Sequence, residues 1–211
     1  MEQLSLLSAS DSPHGNPSEV AIDPVIVQAV PGLQVVPDFV SQSEELRLLH
    51  LIDESPWIND LKRRVQHYGY RYDYQKRDLS REDFLGPMPA WARVLGERLV
   101  EAKFFATSPD QVIVNEYLPG QGIASHIDRE SCFGEVVASL SLASATVMDF
   151  ICGGERVGVP LPPRSLVALR GPARHVWRHG ITARLTDRID GQVLERARRV
   201  SLTFRTTLGT S

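Results

Sequence analysis

Cysteine is scarce in this chain of 211 residues: Cys132 and Cys152 are too few for a disulfide framework and form no paired zinc-ligand spacing. Both are expected to be reduced, buried thiols. Long apolar runs are missing too, with no window near the roughly 18 residues of a membrane helix, so no membrane association is expected. Met1-Glu2-Gln3 puts an acid where a secretion signal carries positive charge, and the apolar stretch from Leu4 to Leu7 is short. A cytoplasmic location is the corresponding expectation. No internal repeat is visible. What is present is 42% hydrophobic residues, enough for one good-sized core. A mobile leader is expected over residues 1–24, which are rich in Ser, Pro, Asp, Gly and Asn beyond Ser8, followed by a single domain over 25–211 and a monomeric state.

The net charge of −3 conceals a gradient. Residues 1–60 carry 1 basic against 10 acidic side chains, residues 61–150 carry 11 against 12, and residues 151–211 carry 11 against 4. Whether an anionic partner binds depends on whether the basic third gathers on one face with Lys62, Arg63, Arg64, Arg71, Lys76 and Arg77, or is dispersed over solvated surface.

Ser41-Gln42-Ser43-Glu44 is a capping-box pattern that opens a helical period through Leu46, Leu49 and Ile52, and Pro89 starts a second helix carrying Trp91, Leu95 and Leu99. After about Gln111 short β-branched or alternating runs take over: Val112–Leu118, Val136–Leu142, Thr146–Ile151, Arg156–Leu161, Ser165–Leu169 and Val200–Thr206. Strands at this spacing mean a β-sandwich or barrel. From Arg64 to Tyr74 the chain alternates Gln66, Tyr68, Tyr70, Tyr72 and Tyr74 on one side, which reads as a strand whose aromatic face is either packed or a ligand platform.

His126 and Asp128 are two residues apart, so within a regular strand they would share a face and converge on one ion. A second histidine from a later strand would complete a two-histidine, one-carboxylate set, which suits Fe(II) because it leaves positions open for a chelating co-substrate and dioxygen. Taken singly such patterns decide nothing: the 6 His and 13 Asp of this chain produce about 0.4 His-x-Asp by chance. Arginine pairs six apart are commoner still, since Arg71/Arg77, Arg164/Arg170 and Arg178/Arg184 accompany Arg199/Arg205. Order is what carries the signal: Asn115-x-Tyr117, then His126-x-Asp128, then Trp177-x-His179-Gly180-Ile181, then Arg199-x5-Arg205.

In that order the motifs make the chain resemble the AlkB family of Fe(II)- and 2-oxoglutarate-dependent dioxygenases, from about Val35 to Leu208. The resemblance implies a mainly β, α+β fold: a double-stranded β-helix (jelly roll), with N-terminal helices packed on one sheet and a substrate lid over about residues 60–85. It implies Fe(II), 2-oxoglutarate and O2 as cofactor and co-substrates, with His126, Asp128 and His179 as metal ligands and catalytic residues. By the same likeness Arg199 holds the distal carboxylate of 2-oxoglutarate, Arg205 lies near the metal-bound carboxylate, and Asn115 and Tyr117 donate hydrogen bonds to the co-substrate. His175 is then a structural histidine, and Arg196 and Arg198 are surface charges. Ser201 stands where some members have Asn and still offers a donor. The implied activity is oxidative dealkylation of methyl- or etheno-modified bases in DNA or RNA, a nucleic-acid repair reaction, with hydroxylation or demethylation of transfer RNA or protein as the alternative. Tyr70 and Tyr72 of the lid and Glu130 are the implied substrate-binding residues. Trp57 is the nearest candidate for a lid tryptophan.

Overall fold

The computed structural model describes residues 22–59, 61–73, 76, 78–189 and 191–208. The expected leader up to Ala21 lies outside the described residues, and helix α1 (Pro24–Gln28) starts on the cap of Asp23, whose carboxylate accepts the Val25 N–H at 2.8 Å. Strand β1 (Leu33–Val36) follows. Helix α2 (Gln42–Asp53) opens with the expected box: the Ser41 hydroxyl accepts the Glu44 N–H at 3.2 Å and the Glu44 carboxylate accepts the Ser41 N–H at 2.9 Å. Next come β2 (Val65–Tyr68) and helix α3 (Ala90–Glu101), which begins behind Pro89. The strand-rich half contains β3 (Gln111–Tyr117), β4 (Ile123–His126), β5 (Phe133–Leu142), β6 (Thr146–Cys152), β7 (Glu155–Leu161) and β8 (Leu166–Leu169). The chain ends through the short helix α4 (Gly171–His175), β9 (Arg178–Ile181), the hairpin of β10 (Thr186–Ile189) and β11 (Gln192–Glu195), and β12 (Arg199–Thr207).

Two antiparallel sheets face each other as a jelly roll, one in the order β1-β8-β5-β12-β3-β2 and the other β4-β9-β6-β7. Strand alternation divides the larger sheet into two chemistries. Even-numbered residues (Val112 and Val114, Ala138 and Leu140, Leu166 and Ala168, Val200, Leu202 and Phe204) pack with Leu48, Ile52, Leu95 and Leu99 of the two long helices. Odd-numbered residues of the same strands face the space between the sheets, where Met148, Phe150, Val159, Leu161 and Ile181 close the far side. Hydrogen-bond register locks this division, since Ser201 lies opposite both Asn115 of β3 and Ser141 of β5.

Several expectations need correction. The buried stripe of α2 is Glu45, Leu48 and Ile52, with Leu46 64% exposed. The period was misplaced because an acid occupies a core position: Glu45 accepts the Ala143 N–H at 2.7 Å and pairs with Arg164 at 3.2 Å. Cys132 is buried as expected, whereas Cys152 is only partly so. The tyrosine alternation is not one strand, because β2 stops at Tyr68. Gly69 follows with φ +77°, and a Cβ there would lie 1.8 Å from the Asp110 carbonyl oxygen. Tyr68 then packs edge-on against Trp91, Tyr70 against Phe84 and Tyr72 against Phe133. Tyr74 lies outside the described residues. Arg196 is no surface charge: its side chain is 6% exposed and its guanidinium grips Asp187 at 2.7 and 3.0 Å. Arg198 is half-buried between Asp53 and Glu116.

Gly69→Ala should therefore cost on the order of 3 kcal/mol, from the left-handed backbone and the clash combined. Urea unfolding followed by tryptophan fluorescence measures this, and an unshifted midpoint would show that the turn relaxes freely.

Candidate active site

The odd-numbered faces of β3, β5, β8 and β12 and the inner face of the smaller sheet enclose a cavity of about 520 Å³. His126 ends β4, Asp128 lies just beyond it, and His179 sits on β9 in register with His126. One donor atom from each of these three comes within 4.8 Å of the others. The imidazole Nε2 atoms of His126 and His179 lie 3.9 and 3.8 Å from the two carboxylate oxygens of Asp128. The Ala124 carbonyl lies 2.9 Å from His126 Nδ1, which selects the tautomer protonated there and leaves the Nε2 lone pair facing the cluster.

Asp128 is the most constrained of the three. Its Oδ1 accepts from Arg205 Nη2 at 2.9 Å, while Oδ2 is buried with no hydrogen-bond partner among the described residues. Burial pushes this carboxyl upward, but Arg205, His179, His126 and Arg174 together outweigh it and hold the group below the usual carboxylate range. Burial pushes His179 down to about 4, against the opposing pull of Asp128. At neutral pH Asp128 is therefore a carboxylate and His179 a neutral imidazole, the forms that bind a divalent cation. Two imidazoles and a carboxylate whose Oδ2 is buried without a hydrogen bond fit Fe(II), with room for a chelating acid in the adjoining cavity.

Deeper in the cavity lies Arg199, 3% exposed. One of its nitrogens donates to the Ser141 hydroxyl at 2.8 Å, whereas Nε and Nη1 are buried with no hydrogen-bond partner. Its guanidinium carbon lies 5.5 Å from the centre of the Tyr117 ring. Burial pushes the group down to about 10, so it remains a cation at neutral pH. Among the described residues no carboxylate forms an ion pair with it. Such a charge is a socket for an acid, because a carboxylate can accept the idle N–H groups.

Asn115 lines the same wall, its amide oxygen accepting from Arg63 Nε at 2.8 Å, so its NH2 remains available as a donor. Arg205, expected beside the co-substrate, is bonded to Asp128 and Gln111. Tyr72 lines the cavity together with Lys62, Arg63 and Arg129. Tyr70 packs with Phe84, and Glu130 pairs with His175 at 3.2 Å outside the cavity lining. His175 also contacts Glu135 at 3.1 Å and takes no part in the cluster. Trp57 lies beneath the Arg64 guanidinium, 4.5 Å away, and packs on the helix side. Sequence reading did not single out Ser141 as the partner of Arg199 or Arg129 as a cavity residue. Odd numbering on β5 could have found the first; no sequence signal marks the second.

The model of the 2OG-Fe(II) oxygenase superfamily matches residues 32–205, and the chain belongs to that superfamily. Its relatives include the Arabidopsis thaliana alkylated DNA repair protein ALKBH8 homolog, 37% identical over 83% of this chain and 58% of that protein. The Mus musculus tRNA (carboxymethyluridine(34)-5-O)-methyltransferase ALKBH8 is 39% identical over 75% of this chain but only 25% of its own length. The human alpha-ketoglutarate-dependent dioxygenase alkB homolog 4 is 30% identical over 83% of this chain and 67% of that protein. The solved structure of OsALKBH1 superposes with TM-score 0.64 at 16% identity, over 83% of this chain and 97% of that one, a likeness of fold. Within the superfamily the chain is AlkB-like, an Fe(II)- and 2-oxoglutarate-dependent dioxygenase.

Arg199→Met should weaken 2-oxoglutarate binding by about two orders of magnitude or more, since a buried acid loses its charged partner. Manganese affinity should stay within a few-fold of the parent, and the ligand-free protein should melt at the same or a higher temperature because an unpaired buried charge is gone. Anaerobic calorimetry with Mn(II) and 2-oxoglutarate checks both, and unchanged co-substrate affinity would locate the acid elsewhere.

Proposed function

We propose that this dioxygenase removes alkyl groups from modified bases in nucleic acid. The observation that carries the reading is the cavity itself: the ligand cluster and Arg199 share it with Tyr72, Lys62, Arg63 and Arg129. A flat phenol ring beside cations is a surface for an unstacked base and its phosphates. When Fe(II) and 2-oxoglutarate are bound they supply, from dioxygen, the oxidising power to hydroxylate a C–H bond, with succinate and carbon dioxide as by-products. The protein's part is to hold and aim. Arg199 and Ser141 anchor the distal acid, Asn115 offers an amide donor, Arg205 keeps one oxygen of Asp128 occupied, and the apolar wall of Met148, Val167 and Leu169 limits water. Hydroxylation of a methyl carbon on nitrogen gives a hemiaminal that collapses to formaldehyde and the bare amine, which restores the base. Tyr72 is the lining residue best placed to stack on the substrate, with Tyr70 and Glu130 as flanking contacts outside the lining.

Transfer RNA is the second reading, favoured by the 39% identity to the mouse protein whose name places it on a transfer-RNA uridine. The methyltransferase activity in that name belongs to a protein of which this chain matches only 25%, so the proposal concerns oxidation alone.

Incubation with Fe(II), 2-oxoglutarate and separate pools of methylated DNA, methylated RNA, etheno-modified DNA and bulk transfer RNA separates the two. Formaldehyde release from methylated oligonucleotides, or restored bases in the etheno pool, is expected, with succinate formed in step and His126→Ala inert. A gain of 16 mass units on a transfer-RNA nucleoside without formaldehyde would move the assignment to the second reading. Succinate formation that no nucleic acid stimulates would sink both.

A further inference from the structure

Arg174 is the bulkiest of the fully buried side chains, 1% exposed, and among the described residues no carboxylate pairs with it. It sits on α4, immediately ahead of the strand that carries His179. Its guanidinium donates to three main-chain carbonyls: Nη1 to Asp128 at 2.8 Å, Nη2 to Phe133 at 3.2 Å and Nε to Gly134 at 3.3 Å. Those carbonyls bracket the connection that takes the chain from the Asp128 ligand into β5.

A charged group hydrogen-bonded only to neutral oxygens in the interior carries a desolvation cost that those bonds offset only in part. Its placement answers a demand of the metal centre. Asp128 is gripped at two points, its carbonyl by Arg174 and its carboxylate Oδ1 by Arg205, which leaves Oδ2 as its one unpartnered oxygen. We infer that Arg174 is a positioning residue for the iron site: its three-way clamp fastens the Asp128 connection to the segment that delivers His179, so that ligands from distant parts of the chain are held as one rigid body. A planar fork spans three separate carbonyls, whereas an ammonium is a point donor and cannot. Ligands fixed before the ion arrives give up less conformational entropy when it binds, and loss of such outer-shell support typically weakens metal binding 10- to 100-fold.

The test uses Mn(II) as an oxygen-stable probe, titrated into the full chain and read by electron paramagnetic resonance. Arg174→Lys is expected to weaken Mn(II) binding by about 10- to 100-fold. The comparison variant is Arg170→Lys, since Arg170 also donates to main-chain carbonyls, of Lys103 and Phe104, but away from the ligand set. It should lower the melting temperature while Mn(II) affinity stays at the parent value. Parent-like Mn(II) affinity in Arg174→Lys, or equal losses in both variants, would overturn the inference and leave Arg174 a general support. Should Arg174→Lys not fold, hydrogen exchange of the unaltered protein decides: Mn(II) must slow exchange over residues 128–134 and 171–179 together. Protection confined to the ligands and their immediate neighbours refutes the clamp.

Discussion

A guanidinium to which the described residues offer no counter-ion organises this molecule. Arg199 is held in the interior by a strand hydrogen-bonded on both sides, so it cannot swing out to water, and among the described residues the Ser141 hydroxyl alone accepts a hydrogen bond from its guanidinium. The desolvation cost is never repaid by the described residues, and it pulls the group down to about 10 without discharging it at neutral pH. The requirement for a small acid follows from that imbalance. So does its location, because the same strand carries Arg205 to Asp128 and ties the acid socket to the ligand cluster through rigid backbone.

Elsewhere many of the charges are paired. The gradient from an acidic start to a basic end is largely folded into pairs: Arg164 meets Asp38 and Glu45, Arg198 meets Asp53 and Glu116, and Arg184 and Arg196 share Asp187. Several charges of the basic third are thereby neutralised. Lys62, Arg63 and Arg129 line the reactive cavity instead, with Arg63 bonded to Asn115. The cavity wall thus carries positive charge of its own beside the ligand cluster.

The architecture was legible wherever periodicity and chemistry agreed. The six strands read from β-branched runs match the observed ones to within a few residues, and the caps at Ser41 and Pro89 start helices as expected. Reading failed where a polar residue was buried on purpose or a glycine broke a pattern. Glu45 in the stripe of α2, Arg196 against Asp187 and Gly69 at the end of β2 are such cases, and each is explained by its partners in the fold: Ala143 and Arg164 for the first, Asp187 for the second, Asp110 for the third. Strands β4 and β9, which carry both imidazoles of the cluster, are four residues each and too short for alternation to announce them.

The order of motifs along the chain picked out by itself the three side chains that the fold clusters, His126, Asp128 and His179, because chance seldom sets Asn-x-Tyr, His-x-Asp, His-Gly-Ile and a paired arginine in that succession. Tertiary structure alone decided how they are held: that Arg205 serves Asp128, that Ser141 is the neighbour of Arg199, and that Arg174 is buried against the Asp128 connection. The physical reason is that residue type and local spacing encode chemistry, whereas hydrogen-bond partnership depends on which segments the two sheets bring together across the interior.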